Sequence, residues 1–376
     1  MPGAEFKIYF NNAPAELEQL DKFEEITVEQ EELMAWEARL QMPVCTDDSG
    51  HWLGFDDDAL RLFSRVRIEI KVGDEDFVPL IDGPIISIDN NLDSEPGKSN
   101  TTLVVNDDSV FLHREQKVAI FKDKPDAKIA EEVFSEFNGV IAEIDIDSNT
   151  PQPEDGSFYY LVQRETAMQL LRKLAQRNKM QAYVLPGAKP GKSVGCFKLP
   201  PSKSDGLPAL ELLGESRNVT SFQVENQASR GGNYSGAYIR VSDKGIETTS
   251  SSISVDDLYG SNAYDSKNVA EAKRLLPPYV GNSVNLSQAV DAEAEESQCS
   301  VTATGSLRSQ CYPGVLQPYC MLSVCAGDTP LSGDCIIEQV THRITRHDYT
   351  QNFRLKYKPR AKSESASALD KVKEIF

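Results

Sequence analysis

The sequence predicts a mainly β fold in which two related antiparallel β-barrel domains flank a small α+β module. Three observations support this prediction: apolar and polar residues alternate in the first and last thirds, two capped helical patterns follow each other in the middle, and hairpin-like segments starting at Asp82 and Gly333 resemble each other. The predicted domains are residues 1–122, 123–215 and 216–358, followed by a tail, 359–376. Part of 216–242 could instead return to the first barrel.

Period-two alternation dominates the first third of the chain. Each alternating segment has one polar face, as in antiparallel sheets, whereas parallel strands buried on both faces read as continuous apolar runs. Further strands are predicted at 80–88, 101–105 and 117–121, and Asp82-Gly83-Pro84 predicts a bulge or a sheet edge because proline cannot donate to the ladder. The alternating apolar residues are Met34, Trp36, Ala38 and Leu40, then Val66, Ile68, Ile70 and Val72.

Two amphipathic helices are predicted in the middle module. The first begins near Pro125-Asp126 and ends before Gly139. The second has a capping box, Thr166 with Gln169, and runs through the turn Asn178-Lys179 into a strand at 181–185. Their apolar stripes are Ile129, Val133, Phe134 and Phe137 in the first helix, and Leu170, Leu171, Leu174 and Ala175 in the second.

Strands return after residue 215. They are predicted at 219–225, 237–241, 319–324, 335–346 and 351–357. A serine-rich polar segment, 248–254, and a helix over 267–276 that ends at Pro277-Pro278 interrupt them. The tail carries a short amphipathic segment at its end, which we expect to fray or to dock weakly because isolated short helices are marginal in water.

The composition of the chain argues against several classes of function. The chain has 376 residues, 40% of them hydrophobic, so it can bury a core. Its 58 acidic and 39 basic residues give a net charge of -19, which disfavours nucleic-acid binding. No run approaches the ~20 apolar residues of a membrane span, and the start lacks the pattern of a secretion signal. We therefore expect no membrane span, no nucleic-acid sequence recognition, and assembly in the cytoplasm.

Clustered carboxylates are the candidates for catalysis. They lie beside turn residues with few aromatic neighbours, so we interpret them as solvated turns rather than as the carboxylate pair of a glycosidase. The four histidines lack the sequence context of a nucleophile elbow, a zinc peptidase or a P-loop. The sequence therefore predicts no catalytic residue and no cofactor. The clusters are Asp56-Asp57-Asp58, Asp74-Glu75-Asp76, Asp107-Asp108, and Asp145 with Asp147.

The seven cysteines allow two interpretations, either core thiols or ligands of a zinc site. Five lie between residues 299 and 335 without any C-x-x-C pair, so core thiols are a better interpretation than a zinc site shared with His342 and His347. Cys320, Leu322 and Val324 alternate with their neighbours, which predicts that a strand face turns at least one thiol inward.

Four segments in the same order resemble the phage late-control D family, the central hubs of contractile-tail baseplates. They are 64–88 (SRVRIEIKVGDEDFVPLIDGPIISI), 124–137, 163–185 and 336–357 (IIEQVTHRITRHDYTQNFRLKY). One departure is Asn178-Lys179, where relatives commonly have Asn-Gly. The chain also ends at Phe376 without the β-prism spike of fused secretion needles, from which we expect a separate spike protein.

The resemblance implies a structural protein rather than an enzyme. It implies a homotrimer whose six similar barrels surround a channel, joining a three-fold spike to a six-fold inner tube or tube-initiator protein, alongside other baseplate subunits of a phage tail or injection particle. One alternative is a tail-associated peptidoglycan hydrolase, which would need two converging carboxylates in a cleft. Another is a carbohydrate-binding β-protein, which should show clustered exposed aromatic residues. The chain has only two tryptophans, Trp36 and Trp52, and Trp36 falls on the apolar face of its strand, so we expect it in the core.

Overall fold

The computed structural model confirms a mainly β chain with an α+β insert. Its described part covers residues 3–46, 49, 52–53, 58–95, 97–147, 160–226, 233–239, 245–251, 273–276, 279–280, 290, 301–327, 329 and 331–357. A polar, proline-bearing segment at 148–156, which the sequence predicts to be a loop, and the tail 359–376 lie outside these residues. No helix in the described ranges is both long enough and apolar enough to cross a bilayer.

The first part of the chain is built almost entirely of strands. Two long strands, Arg65–Val72 and Val78–Asn91, follow a one-turn 3-10 helix at Asp58–Leu60. The elements in order are β1 (Ala4–Phe10), β2 (Ala13–Pro14), α1 (Leu17–Leu20), β3 (Glu25–Glu31), β4 (Glu37–Pro43), β5 (Cys45–Thr46), β6 (Trp52–Leu53), β7 (Arg65–Val72), β8 (Val78–Asn91) and β9 (Asn100–Asn106).

The middle module contains the two predicted helices. Its elements are α2 (Ser109–His113), β10 (Ala119–Lys122), α3 (Asp126–Ser135), β11 (Ile141–Ile146), β12 (Tyr160–Gln163), α4 (Ala167–Arg177), β13 (Gln181–Pro186) and β14 (Ser193–Lys198). The capping box at Thr166 is confirmed, because its hydroxyl accepts from Gln169 N at 3.3 Å while Thr166 N donates to the Gln169 side chain. Lys179 adopts the left-handed conformation with φ 57°, as the turn requires.

The last part of the chain returns to strands. They are β15 (Leu210–Glu211), β16 (Ser221–Asn226), β17 (Asn233–Ile239), β18 (Ile246–Ser251), β19 (Lys273–Leu275), β20 (Tyr279–Val280), β21 (Val301–Arg308), β22 (Met321–Cys325), β23 (Gly333–Thr345) and β24 (Tyr349–Tyr357). Between β16 and β21 the chain makes an excursion in which β17 pairs with β18, β19 and β20.

One 13-stranded sheet connects the two ends of the chain. Its main path runs β16-β21-β24-β23-β3-β4-β9-β8-β7-β1-β2, so β23 near the C-terminus pairs directly with β3 near the N-terminus. Every pairing along that path is antiparallel.

In the part of the chain that the structure describes, three clusters of buried apolar residues form the interior. The first lies under strands β1 to β9 and includes Trp36, Leu40 and Ile68. The second belongs to the module, where Leu170, Leu171 and Leu174 are fully buried as predicted. The third lies under β21 to β24. Ile344 and Tyr349 come from the last part of the chain but pack in the first cluster, so the two halves of the sheet share side chains at their boundary.

Two predictions about the excursion were wrong. Residues 273–275 of the predicted helix form β19, which pairs in parallel with β17, whereas 267–272 lie outside the described ranges. Pro277 disfavours helical backbone before it, and β17 offers the alternative hydrogen bonds. The serine-rich segment contributes residues 248–251 to β18, because each pairs with a residue of β17.

The predicted strand containing Met34 begins later than expected. Leu33 has φ 60° in a turn, its N–H donates to Tyr319 Oη at 2.8 Å, and Met34 is exposed. The strand starts at Glu37, and Trp36 is buried just before it, as predicted. A contact distant in sequence therefore holds this turn in place, and the strand starts three residues later than the alternation predicted.

Candidate assembly interface

Two long strands, β8 and β23, carry the same irregularity at the same place. In the β8–β9 pair the register shifts between Ile85 and Ser87. In the β23–β24 pair it shifts between Ile337 and Gln339. A bulge inserts one extra residue, here Ile86 or Glu338, and bends its strand. The resemblance between the hairpins seen in the sequence therefore extends to backbone geometry.

The repeat is larger than a hairpin. Strands β3-β4-β9-β8 and strands β16-β21-β24-β23 have the same order and the same register. One row of facing residues across β3, β4 and β9 consists of Val28, Ala38 and Val105. The corresponding row across β16, β21 and β24 consists of Val224, Ala303 and Leu355. We call these four-stranded units repeat 1 and repeat 2. They lie side by side in the same sheet, because the last strand of repeat 2, β23, pairs with the first strand of repeat 1, β3.

The pairing of residues 339–345 in β23 with 25–31 in β3 is the internal joint. On its solvent side Arg343 donates to both oxygens of Glu25, at 2.8 and 2.7 Å. This hydrogen bonding lowers the pKa of Glu25. Since both side chains are partly exposed, the ion pair contributes little to stability and mainly fixes the register.

A buried polar chain crosses the internal joint on its core side. Tyr349 Oη lies 2.8 Å from His342 Nδ1, and His342 Nε2 lies 3.0 Å from Gln30 Oε1. Gln30 in turn donates through Nε2 to Leu80 O at 2.7 Å. Because Gln30 uses its Nε2 group to donate to Leu80 O, its Oε1 atom is left to accept from His342. The hydrogen-bond network therefore assigns the imidazole proton to Nε2 of His342. Burial lowers the pKa of His342 to about 3, so the ring is neutral at physiological pH.

The sheet face opposite the cores is the polar face, and its charge differs between the repeats. Acidic residues dominate in repeat 1, whereas acidic and basic residues are nearly balanced in repeat 2. Repeat 1 contributes Glu25, Glu29, Glu31, Glu37 and Asp89 with Arg39, whereas repeat 2 contributes Arg308, Arg343, Arg354 and Lys356 with Glu225, Asp334 and Glu338. The internal joint thus places Arg343, the one Arg or Lys in the paired part of β23, beside the acidic strand β3.

The α+β module is fixed to the first cluster by buried charges. Asp82 accepts from Arg65 Nε at 2.8 Å, from Arg67 at 3.1 Å and from Gly191 N at 2.9 Å. Arg67 also donates to Gly187 O at 2.7 Å, in the loop before β14. On the other side of the module, the rings of Tyr183 and Tyr319 stack with 3.6 Å between centroids. The module therefore lies on the core side of the sheet.

One acidic pair was misinterpreted from the sequence. Asp107 and Asp108 are buried, not solvated. Asp107 accepts from Trp36 N and Ser109 N, at 2.6 and 2.9 Å, and burial raises its pKa to about 6. Asp108 accepts from Arg65 and Ser193. Both carboxylates are closed from solvent, so a polymeric substrate cannot reach them.

The other predicted clusters are placed as follows. Asp74, Glu75 and Asp76 are exposed in the β7–β8 turn. Asp145 pairs with Lys198 at 2.8 Å, and Asp147 accepts from Leu199 N. Asp56 and Asp57 lie outside the described residues, as do His51 and Cys299.

The described thiols do not converge. Cys196 and Cys335 are buried, Cys320 and Cys325 are half-buried, and Cys311 is exposed. Burial raises the pKa of Cys320 to about 12. Within the ranges that the structure describes, no three His, Cys, Asp or Glu residues form a group able to hold a metal ion.

Comparisons with known proteins identify the fold. A 43 kDa tail protein of prophage MuSo2 from Shewanella oneidensis superposes with a TM-score of 0.64 at 13% identity, covering 95% of this chain and 99% of that one. A tail protein from Neisseria meningitidis MC58 gives 0.63 at 13% identity, covering 94% and 96%. No protein-family model and no curated protein matches the sequence.

A secretion-system protein shares the same architecture. The E. coli c3393 protein, a component of the type VI secretion system with structural similarity to the T4 tail proteins gp27 and gp5, gives a TM-score of 0.57 at 13% identity, covering 95% of this chain and 77% of that one. The chain therefore has a mainly β fold that phage tail proteins share with a type VI secretion component.

Proposed function

We propose that the chain is a structural baseplate hub: a homotrimeric adaptor that joins a three-fold spike to a six-fold inner tube in a contractile tail or injection particle. The observation that carries this proposal is the pair of four-stranded repeats with matching register in one sheet. The fold shared with phage tail proteins and a secretion component supports the same setting.

Symmetry matching explains why a hub would need two repeats. Three copies of a chain with one repeat present three equivalent surfaces, whereas three copies with two repeats present six similar ones. In this proposal residues 1–122 and 216–358 supply the ring-building domains and 123–215 supplies the module. The tube or tube initiator would contact all six repeats, and the spike and other baseplate subunits would contact surfaces that keep three-fold symmetry.

The sheet also suggests which side faces the channel. The three apolar clusters and the module occupy the core side, as the contacts of Tyr183 and Leu185 with the first cluster show. A closed ring has more room outside than inside, so the polar face would line the channel. The path from β16 to β8 contains eight strands, and a ring of three such sheets would be roughly 40–45 Å across between backbones. Charged and hydroxyl side chains would keep such a channel wet.

Mass measurement and imaging test the proposal. The purified chain, alone and with its spike partner, should give a species of three times the chain mass, and images should show a ring with a central channel. A strictly monomeric protein at high concentration in the presence of the spike would contradict the hub function. Assembly in the cytoplasm would be tested by recovering the complex from cells before lysis of the host.

A further inference from the structure

Strands β10 and β12 form a separate two-stranded sheet on the α+β module, which we call the module ribbon. Ile120 pairs with Val162, and Phe121 pairs with Leu161. Phe121 and Leu161 are buried in the second apolar cluster, so one face of the ribbon packs on the module. Successive side chains of a strand point to opposite faces, so Ile120 and Val162 lie on the other face, which we call the outer face.

The outer face carries an exposed apolar patch. Val118 is 77% exposed, Ile120 65% and Val162 43%. The three side chains are neighbours, because Ile120 faces Val162 and Val118 precedes Ile120 by two residues on the same face. In the part of the chain that the structure describes, neither β10 nor β12 pairs with a third strand. A two-stranded ribbon is marginally stable by itself, and a contiguous apolar patch in water marks an interaction surface.

An open groove of about 580 Å³ adjoins one end of the ribbon, between α2 and the residues that follow α3. Phe111, Phe137 and Val140 line the groove, and each is half-buried. Lys117, at the start of the ribbon, forms an ion pair with Glu136 on the wall of the groove. The apolar patch and the groove therefore lie side by side.

Arg164 lies on the outer face beside the patch. A bridge between Gln116 and Thr166 continues the register of β10 with β12. In that register Arg164 comes opposite Val118. Its side chain is exposed and has no ion-pair partner among the described residues. The carboxylate next to it in sequence, Glu165, pairs with a lysine of α4 instead.

The charge at this end of the ribbon contrasts with that of the chain. Arg114 lines the groove and lies 5.2 Å from the centre of the Phe63 ring, a contact that leaves its positive charge uncompensated. Glu115 is the one carboxylate of the groove outside an ion pair, since Glu136 is paired. The guanidinium groups of Arg114 and Arg164 therefore outnumber the unpaired carboxylate, in a chain whose net charge is -19. Such a surface favours an acidic partner.

Resting on the proposed hub function, we propose that another baseplate subunit docks on the module ribbon with an amphipathic helix whose apolar stripe is flanked by carboxylates. The stripe covers Val118, Ile120 and Val162, and the carboxylates contact Arg164 and Arg114. A helix fits better than an added strand, because the uncovered residues lie on a face of the ribbon rather than along its edge. Residues 116–122 span roughly 20 Å, a length that a helix of about 14 residues matches.

Two occupants from the chain itself match the patch less well. The tail carries Leu369 and Val372 at helical spacing, but Lys371 and Lys373 beside them would meet the two arginines. In a second copy of the chain, α3 and α4 already bury their apolar stripes in their own module. The chemistry of the patch therefore points to a different subunit.

Peptide binding to the full-length chain tests the chemistry of the partner. The probe is a fluorescein-labelled helical peptide of about 14 residues, with leucines at helical spacing and glutamates beside them. The control peptide has lysine in place of every glutamate. We expect the glutamate peptide to bind at least about fivefold more tightly at low salt, and this preference should shrink as salt screens the arginines. Equal affinity for the two peptides overturns the acidic partner.

Variants of the ribbon locate the binding site. Ile120→Thr should weaken binding of the glutamate peptide at least about fivefold, because less apolar surface leaves water. Arg164→Gln should weaken it about two- to fivefold, and less at high salt. The matched controls are Ile246→Thr, at a 70% exposed isoleucine of β18, and Lys203→Gln, which removes one positive charge from an exposed loop position. Equal losses in the controls overturn the ribbon as the site.

Thiol labelling of full-length Ile120→Cys tests the occupant in the particle. Maleimide should react at least about tenfold more slowly in assembled particles than in the trimer formed with the spike. Wild type gives the background, and denatured particles give complete labelling. Equally fast labelling in both assemblies overturns the proposal. Slow labelling already in the trimer identifies a second copy as the cover, and faster labelling after Leu369→Ser with Val372→Ser identifies the tail; either result overturns the proposal.

The outcomes separate this inference from the hub proposal. A chain that forms a trimer with its spike but does not bind the glutamate peptide overturns the docking surface and leaves the hub function standing. A chain that stays monomeric with its spike contradicts the hub function, and with it the baseplate origin of the partner, whether or not the peptide binds the ribbon.

Discussion

His342 Nε2 lies 3.0 Å from Gln30 Oε1 across the internal joint, and both residues are fully buried. The contact links two strands that are about 300 residues apart in sequence. A buried hydrogen bond of this kind tolerates little displacement, since a slip of one residue would leave both groups unpaired. The joint between the repeats is therefore specified by polar as well as apolar side chains.

His342→Leu should destabilise the protein by about 2–4 kcal/mol. The apolar side chain leaves Gln30 Oε1 and Tyr349 Oη buried without their partner, and each orphaned group costs ~1–3 kcal/mol. Urea unfolding measures the change. Tyr349→Phe removes only one hydrogen bond and should cost less. An unchanged midpoint for His342→Leu would show that the polar chain is dispensable.

Stability should depend on pH through His342. Burial lowers the pKa of this residue to about 3, below the ~6.5 of an unfolded histidine. Between these values the unfolded chain binds more protons, so this contribution is complete above pH ~6.5 and is lost as the pH falls toward 3. The stability difference between wild type and His342→Leu should shrink by up to ~1.4 kcal/mol per pH unit. Burial raises the pKa of Asp107, so this residue favours folding more as the pH falls. Asp107 is present in both proteins, so its effect cancels in the comparison.

Two substitutions in α4 test the origin of its stability. Leu174→Ala should cost about 2–5 kcal/mol, because Leu174 is fully buried in the module cluster and a cavity would remain. Thr166→Ala should cost about 1 kcal/mol through the lost cap. Thermal unfolding measures both. Under the hub proposal, particle assembly should fall only in proportion to the lost stability.

Asp82→Ala should loosen the module. Its carboxylate is closed from solvent and accepts from two guanidinium groups, Arg65 and Arg67. Each arginine keeps a second carboxylate partner, Asp108 or Glu69, so the loss of stability should stay below the ~3–5 kcal/mol of a fully unpaired buried charge. Limited proteolysis should cut the variant faster near 187–193. Asp74→Ala, in an exposed turn, is the control and should change stability by less than ~0.5 kcal/mol. Equal proteolysis of the two variants would contradict this role for Asp82.

Neutralising Asp145 and Asp147 should change neither fold nor assembly. Asp145 is half exposed and contacts Lys198, and surface substitutions usually shift stability by less than ~0.5 kcal/mol. Peptidoglycan turbidity assays with Asp145→Asn and Asp147→Asn provide the functional readout. If wild type degraded cell wall and this folded double variant did not, the hydrolase alternative would be correct.

Local sequence determined the elements whose stability is local. Thr166 and Gln169 lie three residues apart and cap α4 in the structure as the pattern predicted, and its leucines face one cluster because their spacing is helical. Period-two alternation located β7 and β23 to within a few residues, since strand faces follow the backbone pleat. The resemblance between hairpins was visible because both keep glycine and apolar residues around the bulge.

Only the tertiary structure decided what depends on distant partners. The burial of Asp107 and Asp108 depends on Trp36, Arg65 and Ser193, and no local pattern contains those contacts. Residues 273–275 became a strand because β17 lies beside them. The full four-stranded repeat and the β23–β3 pairing were equally hidden, because β3 and β16, like β4 and β21, share register rather than sequence. Which strands become neighbours depends on closing long loops around a common core, and therefore on contacts between residues far apart in the sequence.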